Sequence, residues 1–201
     1  GQQYFHAYLR PGERMRGPRM CVMAFDGDVI RAANLWRRWY FAHVMPRQDG
    51  ETIKPKFVLA HNAEERYGDE FIHASEENQL EAMTTFRTLG YSPDIWWIDA
   101  GWYPCKGSWV NTGTWEPDPE RFPKGLSAVT SVAKQHGMKS IVWFEPERVT
   151  PGSWLYENHP EWLLPSKPEP GETCLLNLGN PAAREWLINH YDKLIRESGI
   201  D

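Results

Sequence analysis

Residues Ile95 to Tyr103 read IWWIDAGWY, and the reading of this stretch decides the fold. Ile95, Trp96, Trp97 and Ile98 form an apolar, β-favouring run of the kind a parallel strand shows when both its faces are covered. The run ends on Asp99, and Ala100 and Gly101 let the backbone turn. Trp102 and Tyr103 follow at once. A carboxylate at a strand's C-terminal end, ringed by indoles and a phenol, suits a sugar. The carboxylate accepts hydrogen bonds from hydroxyls, and aromatic faces cover the apolar C–H face of a pyranose. The same nine residues also read as a buried core strand whose Asp starts a turn. The surrounding chain has to separate the two.

On either side of this stretch the pattern repeats. FVLAH (Phe57 to His61) is a short apolar run that leads into Asn62, Ala63, Glu64 and Glu65. Ser75 caps a helix to Leu89, striped by Leu80, Met83, Phe86 and Leu89, with Gly90 at its exit. After IWWIDA comes a long loop, Gly101 to Lys124, rich in Trp and Pro; loops of this length usually carry function. A helix over Gly125–His136 turns Leu126, Val129, Val132 and Ala133 inward and stops at Gly137. A strand over Ser140–Phe144 then leads into Glu145, Pro146, Glu147 and Arg148. A short helix around Trp154 and Tyr156, a brief extended CLLNL and a last helix follow. Asn180 and Pro181 open that helix and Gly199 closes it.

Strand–helix units in this order predict an α/β fold with a parallel sheet, whose function sits at the strands' C-terminal ends. Three units cannot close a barrel of eight, which takes about 250 residues. The closing Gly-Ile-Asp reads as the turn into a fourth strand. The expectation is therefore the N-terminal part of a larger (β/α)8 barrel over residues 51–201. Residues 1–50 are read as a linker and helix from the end of a β-rich region: strand, turn and strand to about residue 25, in the tail of that region or a linker, then an Asp-capped amphipathic helix with Ile30, Ala33, Trp36 and Tyr40 on one face. Gln48 to Lys56 is read as a polar loop. A complete small open α/β domain is the alternative.

Composition narrows the function. The 201 residues carry a net charge of −5, too little asymmetry for a nucleic acid or an anionic membrane surface. Neither a P-loop nor a dinucleotide fingerprint is present. Cys21, Cys105 and Cys174 are widely spaced, which fits free thiols and no metal or disulfide framework. The histidines share no ligand spacing. Eleven tryptophans are the outlying number, and several fall in polar, Gly- or Pro-containing segments where a core Trp is less expected.

Among chemistry-bearing residues, Glu145 and Glu147 are two apart and share a side of a strand, though Pro146 breaks strict strand geometry. Such a pair can divide acid and nucleophile roles in glycoside hydrolysis, or can pair with Arg148 and hold the strand end; the second reading is favoured. Asp99 is read as a hydroxyl acceptor, over a nucleophile or a turn cap. Trp143, near the strand end, is read as a stacking platform. Trp109 and Trp115 are read as a loop wall beside them.

The segments WWIDAGWY, GTWEPDPERFPKGL, HGMKSIVWFEPERV, HPEWLL and LLNLGNPAAREWL, in this order, resemble the bacterial α-galactosidases called melibiases, glycoside hydrolase family 36. The resemblance runs from YLRPGER to the end of the chain. It implies a β-rich domain before a (β/α)8 barrel, hydrolysis with retention of anomeric configuration, no metal or organic cofactor, and a homo-oligomer. The implied partner is an oligosaccharide or glycoconjugate with a terminal α-linked sugar. Asp99 matches the first of two adjacent acids that hold the galactose hydroxyls, and Trp143 a tryptophan lining the same subsite. Glu145, Glu147 and Arg148 match a strand-end motif supporting that site. The family's nucleophile and acid/base aspartates would both fall beyond Asp201, so no catalytic residue is expected in this chain.

Two positions depart from the family. Ala100 stands where the second acid is usual, and Ala63 follows Asn62 where a Trp is usual. Losing a charged acceptor costs about 1.5–3 kcal/mol of binding. Trp102 and Tyr103 are the candidates to compensate. The sugar could then be a 2-amino or N-acetyl galactoside, or another α-glycoside. A non-catalytic carbohydrate-binding protein, and a half-barrel completed by another chain, are the competing readings.

Overall fold

The computed structural model describes residues 7–60, 71–164 and 171–201. His61 to Glu65, including Asn62 and Ala63, lie outside the described residues. The chain forms two compact units, residues 1–54 and 55–201.

In the first unit, helix α1 (Val29–His43) is capped by Asp28, whose carboxylate accepts from the Arg31 amide at 2.8 Å. The Asp cap and the stop before Pro46 follow the sequence. Its apolar stripe, however, is not buried: Ile30, Trp36 and Tyr40 all remain exposed. Residues 7–28 contain no strand, contrary to the expected strand–turn–strand. An extended segment becomes a strand only when a partner takes up its N–H and C=O groups, and among the described residues none does so here. The polar loop after α1 contains a small hairpin, β1 (Arg47–Gln48) with β2 (Glu51–Thr52). Asp49 and Gly50 at its tip both have positive φ, 53° and 82°, as the commonest two-residue hairpin turn requires.

The second unit is built on a parallel sheet, β3 (Val58–Ala60), β4 (Ile95–Ile98) and β5 (Lys139–Val142), in that spatial order. Ile95 pairs with both Val58 and Lys139, and Trp96 with both Leu59 and Ser140. Paired residues share a face, and faces alternate along a strand. Leu59, Trp96 and Ser140 therefore lie on one face, with Ile98 and Val142. Ala60, Trp97 and Ile141 lie on the other.

The first face is the buried one. Trp96, Ile98 and Ser140 are almost fully enclosed. Helix α2 (Glu76–Thr88) starts in a capping box in which Ser75 and Asn78 satisfy each other's backbone amides. It turns Met83 inward and places the buried Gln79 to accept from the Trp96 indole N–H at 2.9 Å. That bond meets the one polar demand of a buried tryptophan. Leu89, expected on the inner stripe, is instead exposed beyond the helix end. Helix α3 (Ser127–Gln135) packs against α2, β4 and β5 through Val129 and Ala133, and ends as expected at Gly137.

Strand β5 begins one residue and ends two residues earlier than the sequence suggested. Trp143 and Phe144 therefore stand beyond the ladder, at its rim. A second sheet is antiparallel: β6 (Arg148–Val149), β8 (Cys174–Leu176) and β7 (Leu163–Leu164), with β8 in the middle. Helix α4 (Trp154–Asn158) lies between β6 and β7 in the chain. Helix α5 (Pro181–Ser198) has the expected ends, Asn180 accepting from the Ala182 amide and Gly199 in the left-handed region. After it, the Asp201 amide donates to the Ser140 carbonyl at 3.0 Å, and the Asp201 carboxylate accepts from the Ser140 amide at 2.9 Å. Both contacts fall on the edge of β5 turned away from β4. The three cysteines are unpaired, Cys21 exposed and the other two buried.

Candidate functional site

The rim is set by the strand register. One step beyond the last ladder pair, Ile98 with Val142, stand Asp99 and Trp143, and the Trp143 amide donates to the Ile98 carbonyl at 2.9 Å to hold that step. Both residues continue the face of Trp97 and Ile141, away from the α2 side. Both are half-buried. One carboxylate oxygen of Asp99 accepts from the next amide, Ala100, at 2.8 Å. A carboxylate has about four acceptor positions, so this bond leaves acceptor capacity at the rim.

The long loop after β4 supplies the wall. Gly101 begins it with φ 85°, and a Cβ there would sit 2.6 Å from the Phe71 carbonyl oxygen; only glycine fits both constraints. The loop is then clamped by Arg121. Its guanidinium donates to the carbonyls of Ala74 (3.0 Å), Gly101 and Tyr103 (2.7 Å), and pairs with Asp118 at 3.0 Å. Burial opposes ionisation of Asp118, but the hydrogen bonds and charge of Arg121 outweigh it and hold the carboxyl below its usual range. The Thr112 hydroxyl donates to the Arg148 carbonyl, tying the loop to β6 at 2.5 Å. No motif flagged Arg121, although the spacing of Asp118 and Arg121 in PDPER was visible.

This clamp places Trp109 against Trp143, edge to face with centroids 5.8 Å apart. The Arg148 guanidinium lies 5.8 Å from the Trp109 ring centroid and pairs with Glu145 at 2.7 Å. Glu145 thus makes the structural ion pair that the sequence favoured. Burial nevertheless raises its pKa, with Arg148 opposing and Glu147 adding to the rise. Glu147 is exposed. The two glutamates are therefore unequal: one is anchored, the other open to solvent.

Trp102, Tyr103 and Trp115 stand elsewhere than a sugar-facing surface. All three are essentially fully buried. The Trp102 indole N–H donates to the Trp143 carbonyl at 3.0 Å, and the Tyr103 hydroxyl donates to the Trp109 carbonyl. Burial pushes the Tyr103 phenol well above its normal pKa, so it stays neutral. These rings pack beneath the rim with Phe144 and Tyr191 in edge-on and tilted arrangements. The physical reason is hydrophobic: a Trp or Tyr removed from water is worth more in the core than at a wet edge, and Trp102 and Tyr103 also find acceptors for their polar hydrogens. The register thus sets Asp99 beside Trp143, contacts link Trp143 through Trp109 and Arg148 to Glu145, Glu147 stays exposed, and Trp102 and Tyr103 lie buried beneath.

Comparison with known proteins shows the family. The family model for melibiases matches residues 27–201. The probable α-galactosidase C of Aspergillus terreus is 28% identical over 209 residues, covering 96% of this chain and 27% of that protein. The crystal structure of the α-galactosidase from Lactobacillus brevis superposes with a TM-score of 0.61 at 26% identity, over 74% of this chain and 20% of that one. A GH36 α-galactosidase from Geobacillus stearothermophilus, solved in complex with raffinose, has a TM-score of 0.61 at 19% identity, over 73% and 20%. The chain thus spans about a quarter of the length of the curated relatives it matches. With the family model covering most of its residues and the strand-end rim in place, the chain belongs to the melibiase family.

Proposed function

We propose that residues 51–201 form the first three βα units of a catalytic (β/α)8 barrel, that residues 1–50 come from the end of a preceding β-rich domain, and that the whole protein is a retaining glycosidase for terminal α-galactosides. One observation carries the reading: the register sets Asp99 and Trp143 side by side, on one face, at the C-terminal rim of a parallel sheet. Asp99 accepts hydrogen bonds from the sugar hydroxyls. The Trp143 indole covers the C–H face, braced by Trp109, and the Glu145–Arg148 pair holds the strand end. Binding energy gathered here orients the glycosidic bond. The nucleophile and acid/base lie on other segments of the barrel and divide a two-step displacement. Raffinose, present in one related crystal structure, is the model substrate, and the working assembly is a homo-oligomer without metal or organic cofactor.

The test is raffinose hydrolysis by the protein carrying this chain, followed by proton NMR. The α-anomer of galactose is expected first, and Asp99→Ala should lower kcat/KM at least tenfold. Wild-type kcat/KM in that variant, or β-galactose as first product, overturns the reading. Ala100 supports a second reading of the sugar itself. It is 2% exposed and offers no carboxylate beside Asp99, so a galactoside substituted by amino or N-acetyl at C2 fits the departure from the family. If so, Ala100→Asp raises turnover of the unsubstituted galactoside; no gain refutes it.

A further inference from the structure

Helices α4 and α5 carry a group of rings that the proposed function does not use. Trp154, at the start of α4, stacks on Trp186 of α5, with centroids 5.0 Å apart and planes at 12°. His190, one turn further along α5, stacks on Trp186 at 4.9 Å and 11°. Trp154 and His190 make no ring contact with each other, so Trp186 is the middle layer of the stack and Trp154 one of its ends. Two hydrogen bonds pin the layers. The His190 Nε2–H donates to the Trp115 carbonyl at 2.6 Å, and the Trp154 amide donates to the Thr114 hydroxyl at 2.7 Å. Trp154 is nevertheless 41% exposed. Indoles held in this way have little rotamer freedom left to lose on binding.

A cavity of about 140 Å³ adjoins the stack, lined by Thr114, Trp115, Glu116, Trp154, Trp186 and His190. Trp115 is itself enclosed, so the cavity offers a ligand the two stacked indoles, the imidazole, the Thr114 hydroxyl and the Glu116 carboxylate. Charge selects among ligands. The Glu116 side chain is exposed and makes no hydrogen bond or ion pair with any described residue. No lysine or arginine lines the cavity to neutralise it. An anion is therefore repelled, and a neutral apolar group leaves the carboxylate unused. A cation is drawn both to the negative face of an indole and to the carboxylate. A primary ammonium carries three donors that water must give up, and ring faces replace that water poorly. A quaternary ammonium donates no hydrogen bond, and aromatic surfaces suit it.

We infer that this cavity binds a quaternary ammonium group, which lies against the Trp154 end of the stack with Glu116 as its counter-charge. The site does not depend on the Asp99–Trp143 rim or on the reading built there.

Isothermal titration of the protein with choline tests this, with dimethylbutanol, the neutral isostere in which carbon replaces the nitrogen, as control. Choline should bind at least tenfold more tightly than the isostere. Trp154→Ala should weaken choline at least tenfold, and Glu116→Gln severalfold. Glu116 makes no contact that the fold needs, so its variant remains a fair test even where Trp154→Ala fails to fold. Asp99→Ala, at the other carboxylate beside an indole, should leave choline affinity unchanged. Phosphatidylcholine vesicles separate the sources: vesicle binding that weakens in Glu116→Gln assigns a lipid headgroup, and choline binding alone a free ligand. No saturable choline binding, equal affinity for the isostere, unchanged affinity in Glu116→Gln, or loss of binding in Asp99→Ala overturns the inference. The rim is judged separately, by raffinose turnover, which Glu116→Gln should not change.

Discussion

Arg121→Lys separates a clamp from an ordinary surface arginine. The guanidinium reaches three backbone carbonyls from two segments, Ala74, Gly101 and Tyr103, and the Asp118 carboxylate, while its side chain is 19% exposed. A lysine keeps the charge but loses the planar fork and cannot point donors in all these directions at once. If it retains Asp118 and one carbonyl, two carbonyls lose a charged partner. Hydrogen bonds to charged groups contribute about 1.5–3 kcal/mol each, so the variant should lose about 3–6 kcal/mol. That is a large share of the roughly 5–15 kcal/mol by which a domain is stable. Equilibrium urea unfolding followed by tryptophan emission measures it. With a slope of about 2 kcal/mol per molar, the midpoint should fall by about 1.5–3 M. A midpoint equivalent to less than about 0.5 kcal/mol, the usual effect of a neutral surface change, refutes the clamp. The loss should also loosen Trp109, which the same loop carries to the rim, so sugar affinity falls with stability.

Other expectations follow from the same contacts. Gly101→Ala combines a left-handed φ of 85° with a Cβ 2.6 Å from the Phe71 oxygen; each alone costs about 1 kcal/mol or more, and a thermal melt should show a fall of at least about 2 kcal/mol. Because the fold lowers the Asp118 pKa, its ionised form stabilises the native state. That contribution is complete above the unfolded value of about 3.9 and fades as pH falls through the depressed native value. Asp118→Asn should therefore flatten the acid limb of the stability–pH curve; an unchanged limb counts against it. As a control, the Arg196–Asp192 pair is 77% and 55% exposed, and such pairs are worth about 0–1 kcal/mol, so Asp192→Asn should barely move the urea midpoint.

Much of this was readable one residue at a time. The parallel strand at Ile95–Ile98, the Ser75, Asp28 and Asn180 caps, and the glycine exits at Gly90, Gly137 and Gly199 all rest on local chemistry: an apolar run, an oxygen placed for an orphan amide, a residue tolerant of positive φ. So did Asp99 and Trp143, each the polar or aromatic end of its own strand. What local pattern could not supply was the destination of an aromatic side chain. IWWIDAGWY contains Trp96, Trp97, Trp102 and Tyr103 in similar company, and nothing in their spacing says that Trp102 and Tyr103 go under the rim rather than onto it. That was settled by how the loop folds back: Trp102 donates to the Trp143 carbonyl, 41 residues on, and Tyr103 to the Trp109 carbonyl, six residues on. The Arg121 clamp, the antiparallel sheet of β6, β8 and β7, and the Trp154–Trp186 stack are likewise meetings of distant segments. Helix and strand formation is driven by neighbours three or four residues away or by alternation. Burial of a ring, by contrast, depends on which segments from across the chain pack around it, and that only the folded chain decides.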